Sequence, residues 1–414
     1  MKDDSMQLPA QGVPWLELEP RLRAAGEHDV AWRDGRSPAF VHFAGDDVLE
    51  VAKEAYLMYF SENGLGLRAF GSLAKFEREV VAMALALLNG GEGARGAMTT
   101  GGTESIFLAV KAARDAALAA RRIAGVPRIV LPYSAHPAFD KAAHFLGLRT
   151  VRTPLRADFT ADPAAIEAAI TPDTVMVVGS APAYPHGVVD PIPEIAAIAQ
   201  ARGLWMHVDA CVGGYFAPFA RKLGVEMPEF DFGVPGVTSI SADLHKYGYA
   251  AKGASTRFFA DEAAFKHMAY QFDNWPRGTY ATNTLVGTRA GGAIASAWAV
   301  MNYLGEAGYL RVTQRVLAVR RAIEVGVRRL GLQVLGAPNL CIVSYGSPQH
   351  DIAAIGQGLL RRGWLTGYVT NPSGIHLMLN LTHEPVVAQY LADLGEAMAE
   401  AQRSGEGGAV KAVY

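Results

Sequence analysis

Short β-rich runs alternate with helical stretches through the middle of this 414-residue chain, and that alternation leaves few folds open to it. The run 128–131 precedes a helical stretch over about 137–145. The run 174–179 precedes another over 192–201, and the runs 204–209, 236–241 and 255–260 follow. Such a pattern predicts βαβ units, hence an α/β fold whose central sheet is mostly parallel with helices on both faces. Ligands of such sheets bind beyond the carboxyl ends of the strands. A helix is predicted over 72–88, stopped by Asn89-Gly90-Gly91. After Gly291 the chain turns helical through Arg329, and the runs 340–345 and 375–381 each lead into a further helical stretch. Three parts are expected: an N-terminal arm and helix over 1–60, a large domain over 61–304, and a smaller C-terminal α/β domain over 305–414. Within the arm only Val48, Val51, Ala52, Ala55 and Met58 recur at helical spacing, and the glycine-rich tail 403–414 reads as loose.

Composition excludes several classes. Apolar residues make up 50% and charged ones 19%, which suits a buried core and argues against disorder. A net charge of −2 leaves no electrostatic footprint for nucleic acid. The longest apolar run, 80–88, is too short to span a bilayer. Two cysteines, Cys211 and Cys341, imply no disulfide framework, and Met1 to Ser5 lacks the layout of a signal peptide. The expectation is a soluble, cytoplasmic protein.

Two of the runs end in residues with chemistry. The run 204–209 closes on Asp209, and the run 236–241 leads into Ser241-Ala242-Asp243-Leu244-His245-Lys246-Tyr247. A lysine and an aspartate, each at the end of a strand, suit pyridoxal 5′-phosphate: the amine condenses with the cofactor aldehyde, and the carboxylate keeps the pyridine nitrogen protonated. Alone, Lys246 also reads as a surface lysine after a strand. Thr99-Thr100-Gly101-Gly102-Thr103-Glu104-Ser105 opens a helix, where glycines let backbone N–H groups approach a phosphate and the helix dipole favours it. The same residues also make a plain glycine turn with Thr103 as the N-cap. His136, between a strand and a helix, is a flat plate for a cofactor ring or else a capping or core residue. His245 either reaches the cofactor phosphate or faces the helices.

In order and spacing these blocks resemble the sphingosine-1-phosphate lyases, in the group II decarboxylase branch of fold type I pyridoxal enzymes. The resemblance runs from about Asn63 to Leu394. It is carried by the 100–105 block, by 136–143, by Pro185-His186-Gly187-Val188-Val189-Asp190-Pro191, by His207-Val208-Asp209-Ala210-Cys211-Val212-Gly213-Gly214, and by 238–252. It implies that Lys246 bonds the cofactor, Asp209 pairs with its ring nitrogen and His136 stacks on the ring. Gly102, Thr103 and His245 would contact its phosphate. Thr288 and Tyr280 would enter from the partner subunit of a homodimer with shared sites. Lys252 would meet the substrate's own phosphate, with Asn63 and Tyr280 also facing the substrate.

One departure bears on that last point. The loop that reads Asn-Pro-Leu-His-Pro in the family reads Asn63-Gly64-Leu65-Gly66-Leu67 here, so Gly66 replaces a histidine that helps hold the phosphate. Arg68 either supplies a replacement charge or is a solvated loop arginine. The expected activity is cleavage of a carbon–carbon bond in a phosphorylated amino alcohol, giving a fatty aldehyde and phosphoethanolamine. His136, Lys246 and Tyr280 are the candidate proton carriers. An amino-acid decarboxylase on the same scaffold is the alternative, and a non-catalytic protein of the same fold is a third.

Overall fold

The computed structural model describes residues 8–120 and 123–404. Its centre is a seven-stranded sheet of β1 (Arg95–Thr99), β2 (Arg128–Pro132), β3 (Arg149–Thr153), β4 (Thr174–Ser180), β5 (Trp205–Asp209), β6 (Val237–Ala242) and β7 (Ser255–Phe259), in the order β1-β7-β6-β5-β4-β2-β3. All neighbouring pairs are parallel except those of β7, which runs antiparallel to β6 and to β1. The mostly parallel sheet expected from the sequence is therefore present. Two strands lacked an apolar run in the sequence, β1 and β3. They are the two edges of the sheet, half-exposed and carrying arginine where a central strand carries valine.

After α1 (Trp15–Ala25), the chain covers the sheet with α2 (Asp46–Met58), α3 (Gly71–Leu87), α4 (Gly102–Ala119), α5 (Ala138–Leu146), α6 (Pro163–Ala169), α7 (Ile192–Ala201), α8 (Ala217–Lys222), α9 (Glu262–Phe265), and α10 (Gly291–Arg329). Strand residues alternate between two cores, as a period of two requires. Ile129, Leu131, Met176 and Val178 meet Ile106 and Val110 of α4 and Phe139 of α5. Val130, Val177, Met206, Val208 and Ile240 meet Leu73 and Val80 of α3, Ile195 of α7, and Val300 of α10. On β5 this alternation turns Trp205, His207 and Asp209 towards one face together, which matters below.

The C-terminal part is a four-stranded antiparallel sheet of β10 (Gln333–Val334), β11 (Ile342–Gly346), β12 (Gly367–Thr370) and β13 (Ser373–Met378), backed by α11 (Ile352–Arg361) and α12 (Val387–Ser404). It has its own core of Val343, Ile355, Leu359, Trp364, Leu377 and Leu394. Helix α10 links the two parts. Its one non-helical residue is Gly305, at φ 52°, where the sequence reading divides the domains. The change of packing partner comes further on: Val312 and Val316 still join the large core, and Val319, Ile323 and Val327 join the small one. A short exposed hairpin, β8 (Tyr270–Phe272) with β9 (Tyr280–Thr282), projects before α10. Most of the tail read as loose, 405–414, lies outside the described residues.

Before α2 the arm runs along the junction of the two parts. Met378 N–H donates to Pro38 O at 2.8 Å, Leu365 N–H to Arg36 O at 2.9 Å, and Asn380 Nδ2 to Val41 O at 2.8 Å. The sequence showed no period there because this segment is held by backbone bonds to distant strands. Helix α1 was not foreseen either, and it has no buried residue.

Candidate active site

The β6–β7 connection carries Lys246. His245 N–H donates to Ala254 O at 2.9 Å and Lys246 N–H to Asp243 O at 3.2 Å, which curls residues 243–254 over the strand ends. Leu244 and Tyr247 anchor the turn: both side chains are fully buried, and Tyr247 Oη donates to Leu379 O at 2.7 Å. Lys246 Nζ lies 3.0 Å from Asp243 Oδ2, and His245 Nε2 lies 3.7 Å from the same oxygen. Burial works against the Lys246 charge, but the Asp243 carboxylate, with Asp209 behind it, outweighs burial and raises the lysine pKa above its ordinary value. For Asp243 the same balance holds: burial would raise it, and Lys246 and His245 bring it down. No role for Asp243 was expected from the sequence. It is the lysine's ion-pair partner, three residues away in a turn.

Beside this pair stands the start of α4. A Cβ built on Gly102 would lie 2.7 Å from Asp243 Oδ2 and 2.9 Å from Cys211 Sγ, so only glycine fits without displacing them. A Cβ on Gly101 would lie 3.9 Å from His245 Cε1, which places His245 at this helix end rather than towards the helices behind. Ser105 Oγ is 2.6 Å from Thr99 Oγ1 and 2.9 Å from Ser255 Oγ, which donates to Asp243 Oδ1 at 2.5 Å. These hydroxyls tie the glycine turn to the lysine turn. Thr103 is exposed in the first turn of α4.

Asp209 ends β5 opposite Ser241 of β6 and is 8% exposed. Its Oδ1 accepts the Cys211 N–H at 3.1 Å. His136, after β2, is within electrostatic reach of Asp209, Lys246 and Asp243. Its Nδ1 accepts the Ala138 N–H at 3.1 Å, so the neutral ring carries its proton on Nε2. Burial lowers its pKa, Asp209 opposing. A cavity of about 340 Å³ opens beside it, between Arg152, Tyr184, His186 and Tyr368. Helix start, lysine, carboxylate and imidazole therefore share one cleft, the arrangement expected of a pyridoxal phosphate site.

Comparison with known proteins bears on the same conclusion. The family model of the pyridoxal-dependent decarboxylase conserved domain matches residues 72–339. The sphingosine-1-phosphate lyase of Arabidopsis thaliana is 40% identical over 406 residues, 96% of this chain and 74% of that protein. The chain belongs to the sphingosine-1-phosphate lyase family. A solved structure of the Burkholderia pseudomallei sphingosine-1-phosphate lyase superposes with a TM-score of 0.92 at 35% identity, covering 97% of this chain and 94% of that one. The Lactobacillus brevis glutamate decarboxylase, at 18% identity, 97% and 96% coverage and a TM-score of 0.85, shows the shared fold alone. The protein is thus a fold type I, pyridoxal-phosphate-dependent lyase. The residues fit that cofactor: a glycine turn at a helix start admits a phosphate, and Lys246 and Asp209 lie at adjacent strand ends.

The other family-implied residues are distributed unevenly. Lys252 is at the cleft, close enough for its charge and that of Lys246 to act on each other. Its Nζ donates to Phe40 O at 2.8 Å and His245 O at 3.4 Å, so it clasps the arm as well. Asn63, Tyr280 and Thr288 lie in a second cluster. Asn63 Oδ1 accepts the Leu65 and Gly66 N–H groups, both at 3.1 Å, and closes its own turn. A Cβ on Gly287 would lie 3.3 Å from Tyr280 Oη and 3.7 Å from Leu65. Among the described residues no hydrogen bond joins Tyr280 or Thr288 to Lys246 or Asp209. Glu104 bridges the clusters: its Oε2 accepts Thr100 N–H at 2.8 Å and its Oε1 accepts Leu285 N–H at 2.8 Å. Arg68 is exposed.

The arm brings one histidine to the cleft that sequence reasoning missed, His42. Its ring meets Tyr247 edge-on at 4.9 Å, and its Nε2 is 3.0 Å from Met378 Sδ. Burial, with the charges of Lys252 and Lys246, pushes its pKa well down. Nothing in Phe40-Val41-His42-Phe43 announces this, since the approach is set by bonds to strands more than 300 residues away.

Proposed function

We propose that the protein cleaves a phosphorylated long-chain amino alcohol to a fatty aldehyde and phosphoethanolamine, with sphingosine 1-phosphate, the substrate named in its relatives, as the type compound. The observation that carries this reading is the second ammonium, Lys252, at the edge of the Lys246 cleft: a substrate with an amine at one lysine and a phosphate at the other spans them. Bound in the cleft, the cofactor supplies an electron sink for the bond that breaks. Lys246 would hold it covalently, Gly102, Thr103 and His245 would receive its phosphate, Asp209 would face its ring nitrogen and His136 would cover the ring. The substrate hydroxyl loses a proton as the bond to the amine-bearing carbon breaks, and that carbon takes one up. In this chain the Lys246 amine would accept the hydroxyl proton, and His136 Nε2, which carries a proton, would stand as a donor to the carbon. No side chain stands at Gly66, and Lys252 carries the phosphate charge that a histidine there would share.

The working unit in this reading is a homodimer with composite sites, in a reducing cytoplasm. Support for the dimer lies in the cluster of Asn63, Tyr280 and Thr288, whose apolar neighbours Leu65, Trp275, Leu285 and Val286 are exposed in the single chain. Both cysteines are free, which suits the compartment. Among the described residues no helix is long and apolar enough to cross a membrane.

The test is incubation of the purified, cofactor-loaded protein with sphingosine 1-phosphate and, separately, with amino acids. Aldehyde and phosphoethanolamine should form in equal amounts. Carbon dioxide from an amino acid, with no aldehyde from the phosphorylated base, would replace this reading by a decarboxylase.

A further inference from the structure

Behind Asp209, on the face that β5 turns towards α4 and α5, runs a file of buried polar groups. Trp205 Nε1 donates to Ser239 Oγ at 2.7 Å. Ser239 Oγ is 2.8 Å from His207 Nδ1, and His207 Nε2 is 3.2 Å from Ser241 Oγ. Ser241 Oγ is 3.5 Å from Asp209 Oδ1 and receives the Cys211 thiol at 3.4 Å. Strand register places these groups together: His207 is opposite Ser239, and Asp209 opposite Ser241. Ser239, His207 and Ser241 are all 1% exposed or less.

The direction of this file follows from its first member. An indole N–H can only donate, so Ser239 Oγ accepts from Trp205 and its own proton is left for His207 Nδ1. Pointed elsewhere, that proton would be a buried donor without a partner. A His207 ring that accepts at Nδ1 carries its proton at Nε2 and donates to Ser241. Ser241 then receives two donors, His207 and Cys211, and its hydroxyl proton is left for Asp209. Burial lowers the His207 pKa to about 4, so the ring is neutral and carries one proton near neutral pH.

We propose that His207 and Ser241 are positioning residues that form a one-way hydrogen-bond relay, holding Asp209 ionised and turning its second oxygen to the cofactor. With Ser241 Oγ–H and Cys211 N–H both directed at Oδ1, Oδ2 is the oxygen left for the ring nitrogen. The inference rests on the reading that Asp209 faces that nitrogen. It adds what keeps the carboxylate in the required state and names the residues that do it. Hydrogen bonds to the charged form of a carboxylate favour that form. With one of these donors removed, the carboxylate should draw more of the shared proton from the ring nitrogen. A less protonated ring leaves the lysine–cofactor linkage more basic.

Two measurements separate the relay from the reading beneath it. Solid-state NMR of cofactor-free protein carrying nitrogen-labelled histidine, with His207 assigned by its absence in His207→Gln, should show His207 protonated at Nε2; protonation at Nδ1 overturns the relay whatever Asp209 does. The second is a pH titration of the visible band of the loaded protein. The groups facing Asp209, namely Asp190 after β4, His136 after β2, Cys211, His207 and Lys246 with Asp243, are the same in every variant compared. Ser241→Ala should raise the midpoint by at least about half a pH unit, and Ser241→Thr, which keeps the hydroxyl, should restore it. Asp209→Asn should raise it further. A shift in Asp209→Asn with none in a folded Ser241→Ala protein refutes the relay, and no shift in Asp209→Asn refutes the role of Asp209 itself.

Discussion

Gly102→Ala tests how closely the helix start and the lysine turn are fitted. The added Cβ would stand 2.7 and 2.9 Å from the two Asp243 oxygens and 2.9 Å from Cys211 Sγ, all inside contact distance. None of these atoms yields freely. Asp243 is 3% exposed, paired with Lys246 at 3.0 Å and bonded by Ser255 at 2.5 Å, and Cys211 is buried. Overpacking of this kind costs about 1–3 kcal/mol. At about 1.4 kcal/mol per decade, that is roughly a 5- to 150-fold change in an equilibrium constant. The neighbouring glycine is the control, because Gly101 has an extended backbone at φ 169° and its nearest contact would be 3.9 Å away. Denaturant unfolding of the cofactor-free proteins should therefore show a loss of about 1–3 kcal/mol for Gly102→Ala and a few tenths for Gly101→Ala. In a cofactor titration Gly102→Ala should weaken binding about tenfold or more, since the Asp243–Lys246 pair must move. Equal stabilities for the two variants would show that the cradle is loose and that this contact does not set the site.

Lys246→Ala should abolish multiple turnover and the visible band of lysine-bound cofactor while the far-ultraviolet circular dichroism stays unchanged; sustained turnover would remove Lys246 from its role. Lys252→Ala should raise the KM for a phosphorylated substrate about tenfold, from the loss of one charge-assisted contact, and leave a non-phosphorylated analogue little affected. It should also speed hydrogen exchange near Phe40, whose carbonyl Lys252 holds at 2.8 Å; equal losses on both substrates would assign Lys252 to the arm alone. Mixed Lys246→Ala and Tyr280→Phe chains should regain part of the activity that each lacks, and failure after verified subunit exchange would place Tyr280 outside a shared site. Stability should fall as pH drops from about 6.5 towards 4. His186, His207, His376 and His383 are each held by burial at a folded pKa of about 4, so the unfolded chain takes up protons that the fold refuses. Asp190, raised by burial to about 7, works in the opposite sense over the range above the ordinary carboxylate pKa, one group against four. A flat stability profile over that window would refute the burial of those rings.

What the sequence made legible was whatever is set by neighbours in the chain. Strand β4 announces itself because both faces are buried and its run 175–178 is apolar throughout, and β5 and β6 do so through buried apolar and β-branched residues between turn signals, whereas β1 and β3 do not, being edges. Lys246, Asp209 and Gly102 could be singled out because the chemistry expected of them depends on standing at a strand or helix end, a position that local pattern predicts. Residues whose role depends on a distant partner stayed hidden. Asp243 was in view and without a role until the turn brought it to Lys246. His42 matters because β13 and its continuation hold the arm across the cleft. The same reasoning divides the implied site in two. Lys252 and His245 are carried on the lysine turn itself and arrive with it. Tyr280 ends the hairpin and Thr288 lies on the segment after it, tied to the cradle through the Glu104 carboxylate, beside the exposed Leu285 and Val286. In the proposed homodimer a second copy of the chain would cover this apolar surface and receive the tyrosine, which is why subunit mixing, rather than a change in either site alone, is the measurement that tests the proposed assembly.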